Sequence, residues 1–312
     1  MDPHLPGAPR GLTRRTVTLP RDASGRLDAA LSRLLPHVSR RRLKRAFREG
    51  RIEVAGRRVR GSHPASGGLE VVLVGLDDAT SPAPCPMPIE TVYEDPWLLV
   101  VEKPAGLPVL PRTPEEAGSV AGAVLARRPE LRGVGDLPLA PGLCHRLDRE
   151  TSGLLLFAKD PDTFAAVRRL FERRAVDKRY LAVVAGVLRR GGSVRAPIGR
   201  PAGRGAMLRV DDGRTRLRKV WPALTHYQPL RSRGDRTLVE VRIETGVTHQ
   251  IRVHLASIGH PLLGDVRYGG PAAPRLALHA SSLGLPHPRN GRWLVVHSPG
   301  ADAVATMLDA PA

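Results

Sequence analysis

Hydrophobic spacing along the chain falls into two regimes on either side of a proline-rich stretch. Residues 1–16 are Pro, Gly and Arg without periodicity and read as a flexible tail. From Arg26, RLDAALSRLLP places Leu27, Ala30, Leu31 and Leu34 at helical spacing, and Pro36 stops the run. Ser39 can cap a second helix, RRRLKRAFRE, which ends at Gly50. Its apolar side is Leu43, Ala46 and Phe47, while Arg40, Arg41, Lys44, Arg45 and Arg48 crowd the rest. RIEVAGRRV then reads as a strand and turn and GGLEVVLV as a later strand, so residues 17–76 form one small α/β unit.

Periodicity is lost in GLDDATSPAPCPMP, and residues 77–88 read as a semi-rigid linker. A second domain spans 89–300, with 301–312 as a C-terminal tail. Leu98 to Val101 is an apolar strand leading into a Lys103-Pro104-Ala105-Gly106 turn, and LLLFA is a buried strand. DPDTFAAVRRLFERR is a helix capped by Asp160 with Pro161 in its first turn, and KRYLAVVAG is another strand. In TLVEVRIETG, Val239, Val241 and Ile243 alternate with Glu240, Arg242 and Glu244, as in a half-buried strand. Strands outnumber helices without a βαβ rhythm. The expected class is therefore α+β, a large and mostly antiparallel mixed sheet flanked by helices.

Charge adds a partner to this layout. The chain has 49 Lys+Arg against 30 Asp+Glu, a formal net charge of +19. Such an excess attracts polyanions through counterion release, and nucleic acid leads that class. Like charges packed on one short helix repel by tenths of a kcal/mol per pair, which favours a compensating anion over a merely solvated basic face. No stretch approaches the roughly 18 apolar residues of a membrane span, and the N-terminus lacks an apolar signal core, so a cytoplasmic protein is expected. Cys85 and Cys144 suit a reducing compartment and have no metal-ligand spacing. No Walker loop, GxGxxG turn or internal repeat points to a nucleotide cofactor.

Three islands exceed what structure alone requires: HRLDRETSG, KRYLAVVAG, and ETGVTHQIRVHLASIGHPLLGDVRYG. In the first, Asp148 stands between Arg146 and Arg149, followed by the polar turn Glu150, Thr151, Ser152 and Gly153. Either this is a corner whose charges cancel, or Asp148 is a reactive carboxylate placed where an anion comes to rest. Together, from about Val100 to RLALHASSLGLPHP, the islands resemble the RluA-type pseudouridine synthases. RLDAAL, SRRRLKRAFREGRIEVAG and GGLEVVLV resemble the small RNA-binding domain first seen in a small-subunit ribosomal protein. The resemblance implies a pseudouridine synthase fold with Asp148 as the catalytic carboxylate, Tyr180 against the target base and Arg252 paired with Asp148. It also implies substrate contacts from His145, Arg146, Thr151, Lys103, His249 and Gln250, with Thr151, Ser152 and Gly153 shaping the turn. RNA contacts from the N-terminal unit fall on Arg40, Arg41, Lys44, Arg45 and Arg48. Departures from the family pattern are Ala55 for Asn, Leu110 for His, and Val247 for a basic residue.

Pseudouridine formation breaks the base-to-ribose N-glycosidic bond, turns the uracil and rejoins it through carbon 5, so it needs no redox step, metal or cofactor. A carboxylate near the anomeric carbon can attack the sugar, remove a sugar proton or steady positive charge. Extruding a uridine costs a few kcal/mol, and stacking on an aromatic ring returns about 1–3 kcal/mol. His249 and His254 look like a metal pair, but an odd separation within a strand puts them on opposite faces, leaving His249 for positioning and His254 for structure. A nucleoside or glycoside hydrolase using Asp148 and Glu150 is a second reading, because two residues along an extended chain span about 6.6 Å, close to the roughly 6.5–9.5 Å of inverting enzymes. A non-catalytic RNA-binding or ribosome-assembly protein on the same fold is a third. The expected partner is RNA, large-subunit ribosomal RNA ahead of tRNA, bound by a monomer.

Overall fold

The computed structural model describes residues 14–35, 38, 40–76, 81–201, 207–211, 213 and 216–309, and the chain forms two compact units that divide after Thr80. The first contains β1 (Arg14–Thr18), β2 (Ser24–Arg26), α1 (Leu27–Leu34), α2 (Arg40–Arg48), β3 (Ile52–Val54), β4 (Arg57–Arg58), β5 (Pro64–Ser66) and β6 (Glu70–Val74). An antiparallel sheet runs β1-β6-β3-β4, and β2 pairs with β5. Leu27 and Leu31 of α1 and Leu43 and Ala46 of α2 join Ile52, Val71 and Leu73 in one buried core, as the helical spacing requires. The turn between β3 and β4 has Ala55 at φ 49° and Gly56 at φ 71°. Successive positive φ values suit a two-residue hairpin turn, in which the alanine Cβ costs about 1–2 kcal/mol.

The expected tail extends too far: Arg14, Arg15 and Thr16 belong to β1, paired with Val74, Leu73 and Val72 of β6. Only Val17 of this strand is buried, so no alternation betrays it, and backbone pairing forms it instead. Residues 1–13, Pro36 with its helix stop, and the Ser39 cap lie outside the described residues.

The second unit contains β7 (Glu90–Glu94), β8 (Leu98–Lys103), α3 (Val120–Arg127), β9 (Ser152–Ala158), α4 (Pro161–Glu172), β10 (Asp177–Ala185), β11 (Gly192–Arg195), β12 (Ile198–Pro201), β13 (Arg209–Val210), β14 (Leu217–Trp221), β15 (Leu224–Arg233), β16 (Arg236–Ile243), α5 (Gln250–Ser257), β17 (Leu278–Pro286), β18 (Trp293–His297) and α6 (Asp302–Ala305). Its main sheet runs β11-β15-β16-β10-β17-β9-β8-β7, with β18 also paired to β17. Only the β9–β17 pairing is parallel, so the sheet is mixed and mostly antiparallel. All seven residues of β9 are buried, which explains its unbroken apolar run. The Asp160 side chain accepts from Thr163 N, with Pro161 in the first turn of α4. A smaller sheet, β13-β12-β14, packs Ile198 and Trp221 towards Val253 of α5.

Three expectations change here. Residues 81–88 are not free linker: Ala83 N donates to Pro114 O and Cys85 N to Gly122 O, single backbone bonds that leave no periodic trace. Residues 77–80 lie outside the described residues. The C-terminal segment is not a tail, because Val304 and Leu308 bury themselves against Val183 and Leu238, and Asp309 accepts from Arg231 and Arg233. Finally, QIRVHLAS is a helix rather than a strand. Every residue from Gln250 to Leu255 is buried, so this helix has no polar face to reveal its period, and Ile251, Val253 and Leu255 mimic strand alternation.

Candidate active site

The sheet register brings the islands together. Gly153 lies opposite Ala280, Ala280 opposite Tyr180, and Tyr180 opposite Val241, so the start of β9 and the middle of β10 share one row across β17. Gly153 is at φ 115°, and a Cβ there would come within 2.3 Å of Ala280 O. Only glycine lets the turn that carries Asp148 close against β17. Thr151 N donates to Asp148 O, closing the turn. Tyr180 is 7% exposed, and burial followed by the nearby Asp148 carboxylate pushes its phenol pKa up.

From the other side, α5 delivers the basic groups. Gln250 fastens the preceding loop: its Oε1 accepts from Thr245 Oγ1 and Val247 N, and its Nε2 donates to Leu224 O and Thr225 Oγ1. Lys178 Nζ also holds this loop through Thr245 O, and burial brings its pKa down to about 8. His249 heads the helix in the left-handed region at φ 57°. Arg252 Nη1 lies 3.6 Å from Asp148 Oδ2, and His249 Nε2 lies 3.9 Å from the same oxygen. Burial pulls the Arg252 pKa down, but the hydrogen-bonded Asp265 carboxylate and then Asp148 outweigh it, and the net shift is upward. Burial lowers the His249 pKa against the opposing pull of Asp148.

The residues expected to line the substrate divide into two groups. Arg146 is exposed beside Asp148, and His249 reaches the carboxylate. His145, Lys103, Thr151 and Gln250 instead build the support. His145 Nε2 accepts from Leu156 N, its ring packs on Phe171, and burial takes its pKa down to about 3. Lys103 is fully buried, and its Nζ donates to Pro104 O and Arg149 O, tying the strand β8 turn to the Asp148 turn. Burial lowers the Lys103 pKa to about 8, with Glu150 and Asp148 opposing. Thr151 is 2% exposed and Gln250 3%. His254 is structural, between Thr225 Oγ1 and Ala196 O. In sequence His145, Thr151 and Gln250 look like site residues because they lie next to site residues, whereas Lys103 joins the Asp148 turn only through the fold.

Arg252 does pair with Asp148, but through a single terminal nitrogen. Its two-pronged contact is with Asp265, through Nε to Oδ2 at 2.8 Å and Nη2 to Oδ1 at 2.7 Å, leaving one terminal nitrogen towards Asp148. Tyr268 completes the cluster: its hydroxyl hydrogen-bonds His249 Nδ1 at 2.8 Å, and its ring centroid is 5.2 Å from the Arg252 guanidinium carbon. Both residues sit in the GDVRYG run at the end of the third island, and that continuity is the signal that could have found them. Beneath the turn, Ser152 Oγ bonds His279 Nδ1, His279 Nε2 bonds Ser298 Oγ, and Ser298 Oγ donates to Glu102 Oε2. This buried relay holds β8, β9 and β17 at the site. Glu150 has a side chain 54% exposed and stands 4.0 Å from Arg252.

In the first unit, Arg40, Lys44 and Arg48 of α2 are exposed, and Arg45 pairs with Glu49 at 2.5 Å. The Arg41 side chain lies outside the described residues. Asp28 and Arg33 of α1 face Arg40 and Lys44 across a groove between the two helices.

The second unit thus carries a donor-flanked carboxylate on a mixed sheet, and the first unit carries a basic helix. Residues 97–257 match the RNA pseudouridylate synthase family and residues 25–71 the S4 domain, so the chain belongs to the RNA pseudouridylate synthase family and carries an N-terminal S4 domain. It is 38% identical over 309 residues to the ribosomal large subunit pseudouridine synthase D of Nitrosomonas europaea, covering 94% of this chain and 87% of that one. An uncharacterized RNA pseudouridine synthase of Chloroflexus aurantiacus is 39% identical over 294 residues, 90% of this chain and 88% of that one. Among solved structures, human RNA pseudouridylate synthase domain containing 1 superposes with a TM-score of 0.56 at 25% identity, covering 72% of this chain and 96% of that one. The hydrolase and non-catalytic readings give way to this membership. No helix among the described residues is long and apolar enough to cross a membrane.

Proposed function

We propose that the protein isomerises uridine in large-subunit ribosomal RNA to pseudouridine, with Asp148 as the catalytic carboxylate. The observation that carries this reading is that Arg252 Nη1 and His249 Nε2 both converge on Oδ2 of Asp148 while its side chain stays 22% exposed. A carboxylate so arranged keeps an oxygen for the sugar, and its neighbours offset the cost of burying its charge. Tyr180 lies near it at the edge of the buried core, and we assign it the contact with the extruded base. The N1–C1′ bond breaks and a C5–C1′ bond forms; C5 gives up its proton and N1 gains one, so nothing is consumed. In this reading the exposed Arg146 meets a phosphate, and Arg40, Arg41, Lys44, Arg45 and Arg48 of the S4 domain are assigned further phosphate contacts that position the RNA. The ribosomal assignment rests on the relative from Nitrosomonas europaea, whose name carries that substrate.

Asp148→Asn keeps the side-chain shape and removes the charge. It is expected to abolish pseudouridine formation while RNA affinity stays within a few-fold. Pseudouridine mapping of total RNA from cells with and without the gene identifies the substrate. An Asp148→Asn enzyme with near-normal turnover, or an unchanged large-subunit map, would refute the corresponding half of the proposal.

A further inference from the structure

Asp265 and Tyr268 touch no reacting atom, yet both grip groups that do converge on Asp148. We infer that they are positioning residues that aim two N–H donors at Oδ2 of Asp148 and leave Oδ1 free for the substrate. This inference rests on the proposed role of Asp148. Asp265 is 1% exposed and occupies the Nε and Nη2 edge of Arg252 with two short bonds, so the guanidinium cannot rotate without breaking both. Nη1 is thereby left as the edge facing Asp148 at 3.6 Å. The Tyr268 ring backs the same guanidinium at 5.2 Å, a cation–π contact in a partly desolvated place.

Tyr268 also sets the state of His249. Burial raises the Tyr268 pKa and lowers that of His249, so a protonated phenol meets a neutral imidazole. One proton lies between the Tyr268 oxygen and His249 Nδ1. If Nδ1 carried it, Nε2 would turn a lone pair towards the Asp148 carboxylate at 3.9 Å, a repulsive arrangement. With the phenol donating to Nδ1, Nε2 carries the ring proton and directs it at Oδ2, which is the tautomer the geometry selects. Arg252 and Arg267 face His249 as cations and Asp148 and Asp265 as anions, and the same tautomer satisfies the nearer carboxylate. The left-handed backbone of His249 is what brings its ring into this place at the start of α5.

Tyr268→Phe keeps the ring behind Arg252 and deletes only the hydroxyl, so it isolates the tautomer effect. Single-turnover rates with saturating enzyme are expected to fall tenfold or more, with RNA affinity unchanged within twofold. His249→Gln should lose a similar factor, and the double variant should be no slower than His249→Gln alone, because both changes cut one path. Asp265→Asn should slow the same step at least tenfold. Nitrogen NMR of the wild-type imidazole should find the proton on Nε2, a reading that needs neither substrate nor a folded variant. A proton on Nδ1, a Tyr268→Phe rate within twofold of wild type, or a double variant whose loss is the product of the single losses would overturn the inference. Asp148→Asn separates the two claims: if it retains activity the proposed function fails, whereas an inactive Asp148→Asn beside a normal Tyr268→Phe removes only the positioning role.

Discussion

The two units use arginine in opposite ways. On α2 of the S4 domain, Arg40, Lys44 and Arg48 stand in solvent, neighbours by helical spacing and interchangeable in what they offer a phosphate. In the synthase unit, the side chain of Arg252 is 7% exposed and held by a carboxylate at 0% exposure, 13 residues away in sequence. Exposed charges act by number, since screening and hydration leave each contact small. A buried charge acts by geometry, because removing its partner leaves an ion without water or counter-ion. The same residue type is therefore tolerant in one unit and unforgiving in the other.

The sharpest way to break this contrast is Arg252→Met. It strips Asp265 of its two-pronged cationic partner and Asp148 of one of the two N–H groups that converge on it. We expect a loss of roughly 3–5 kcal/mol in stability, the range for breaking a buried pair, and a single-turnover rate at least a hundredfold lower. Urea unfolding and rapid-quench assays measure the two parts, and a stable variant would mean that the Asp265 site admits water.

A second test uses pH. Burial takes the His279 pKa down to about 4, and that of His145 to about 3. Between about 6.5, the unfolded histidine value, and these folded values the unfolded chain binds more protons, so stability falls as pH falls. The His279 contribution is fully present above pH 6.5 and is lost progressively down to about pH 4, a change on the order of 3 kcal/mol. Denaturant midpoints from pH 7 to 4.5 check the trend, and the His279 ring-proton shifts should show no titration near 6.5.

The smallest expected effect belongs to the exposed side of the comparison. Replacing Arg40, Lys44 and Arg48 together by Gln should leave folding and saturated single-turnover rates unchanged. RNA affinity should weaken, and the slope of log affinity against log salt should lose about 0.7–0.9 unit per contact. An unchanged slope would mean that this helix face does not hold RNA.

Local chemistry is legible without a structure when the relevant interactions are close in sequence. The apolar run of β9, the Asp160 cap of α4, the two-faced α2 and the islands around Asp148, Tyr180 and Arg252 all follow from neighbours within a turn or a strand. The family resemblance and the α+β class were within reach for that reason. Tertiary structure alone decided that α5 is a helix, because burial on all sides erased its period, and that Lys103, His145 and Gln250 support the site instead of lining it. It also decided that Asp265, not Asp148, takes the two-pronged grip of Arg252. Partner choice for a buried charge is set by where the chain returns in space and by which carboxylate is fully removed from water, and neither quantity is written in the spacing of residues along the chain.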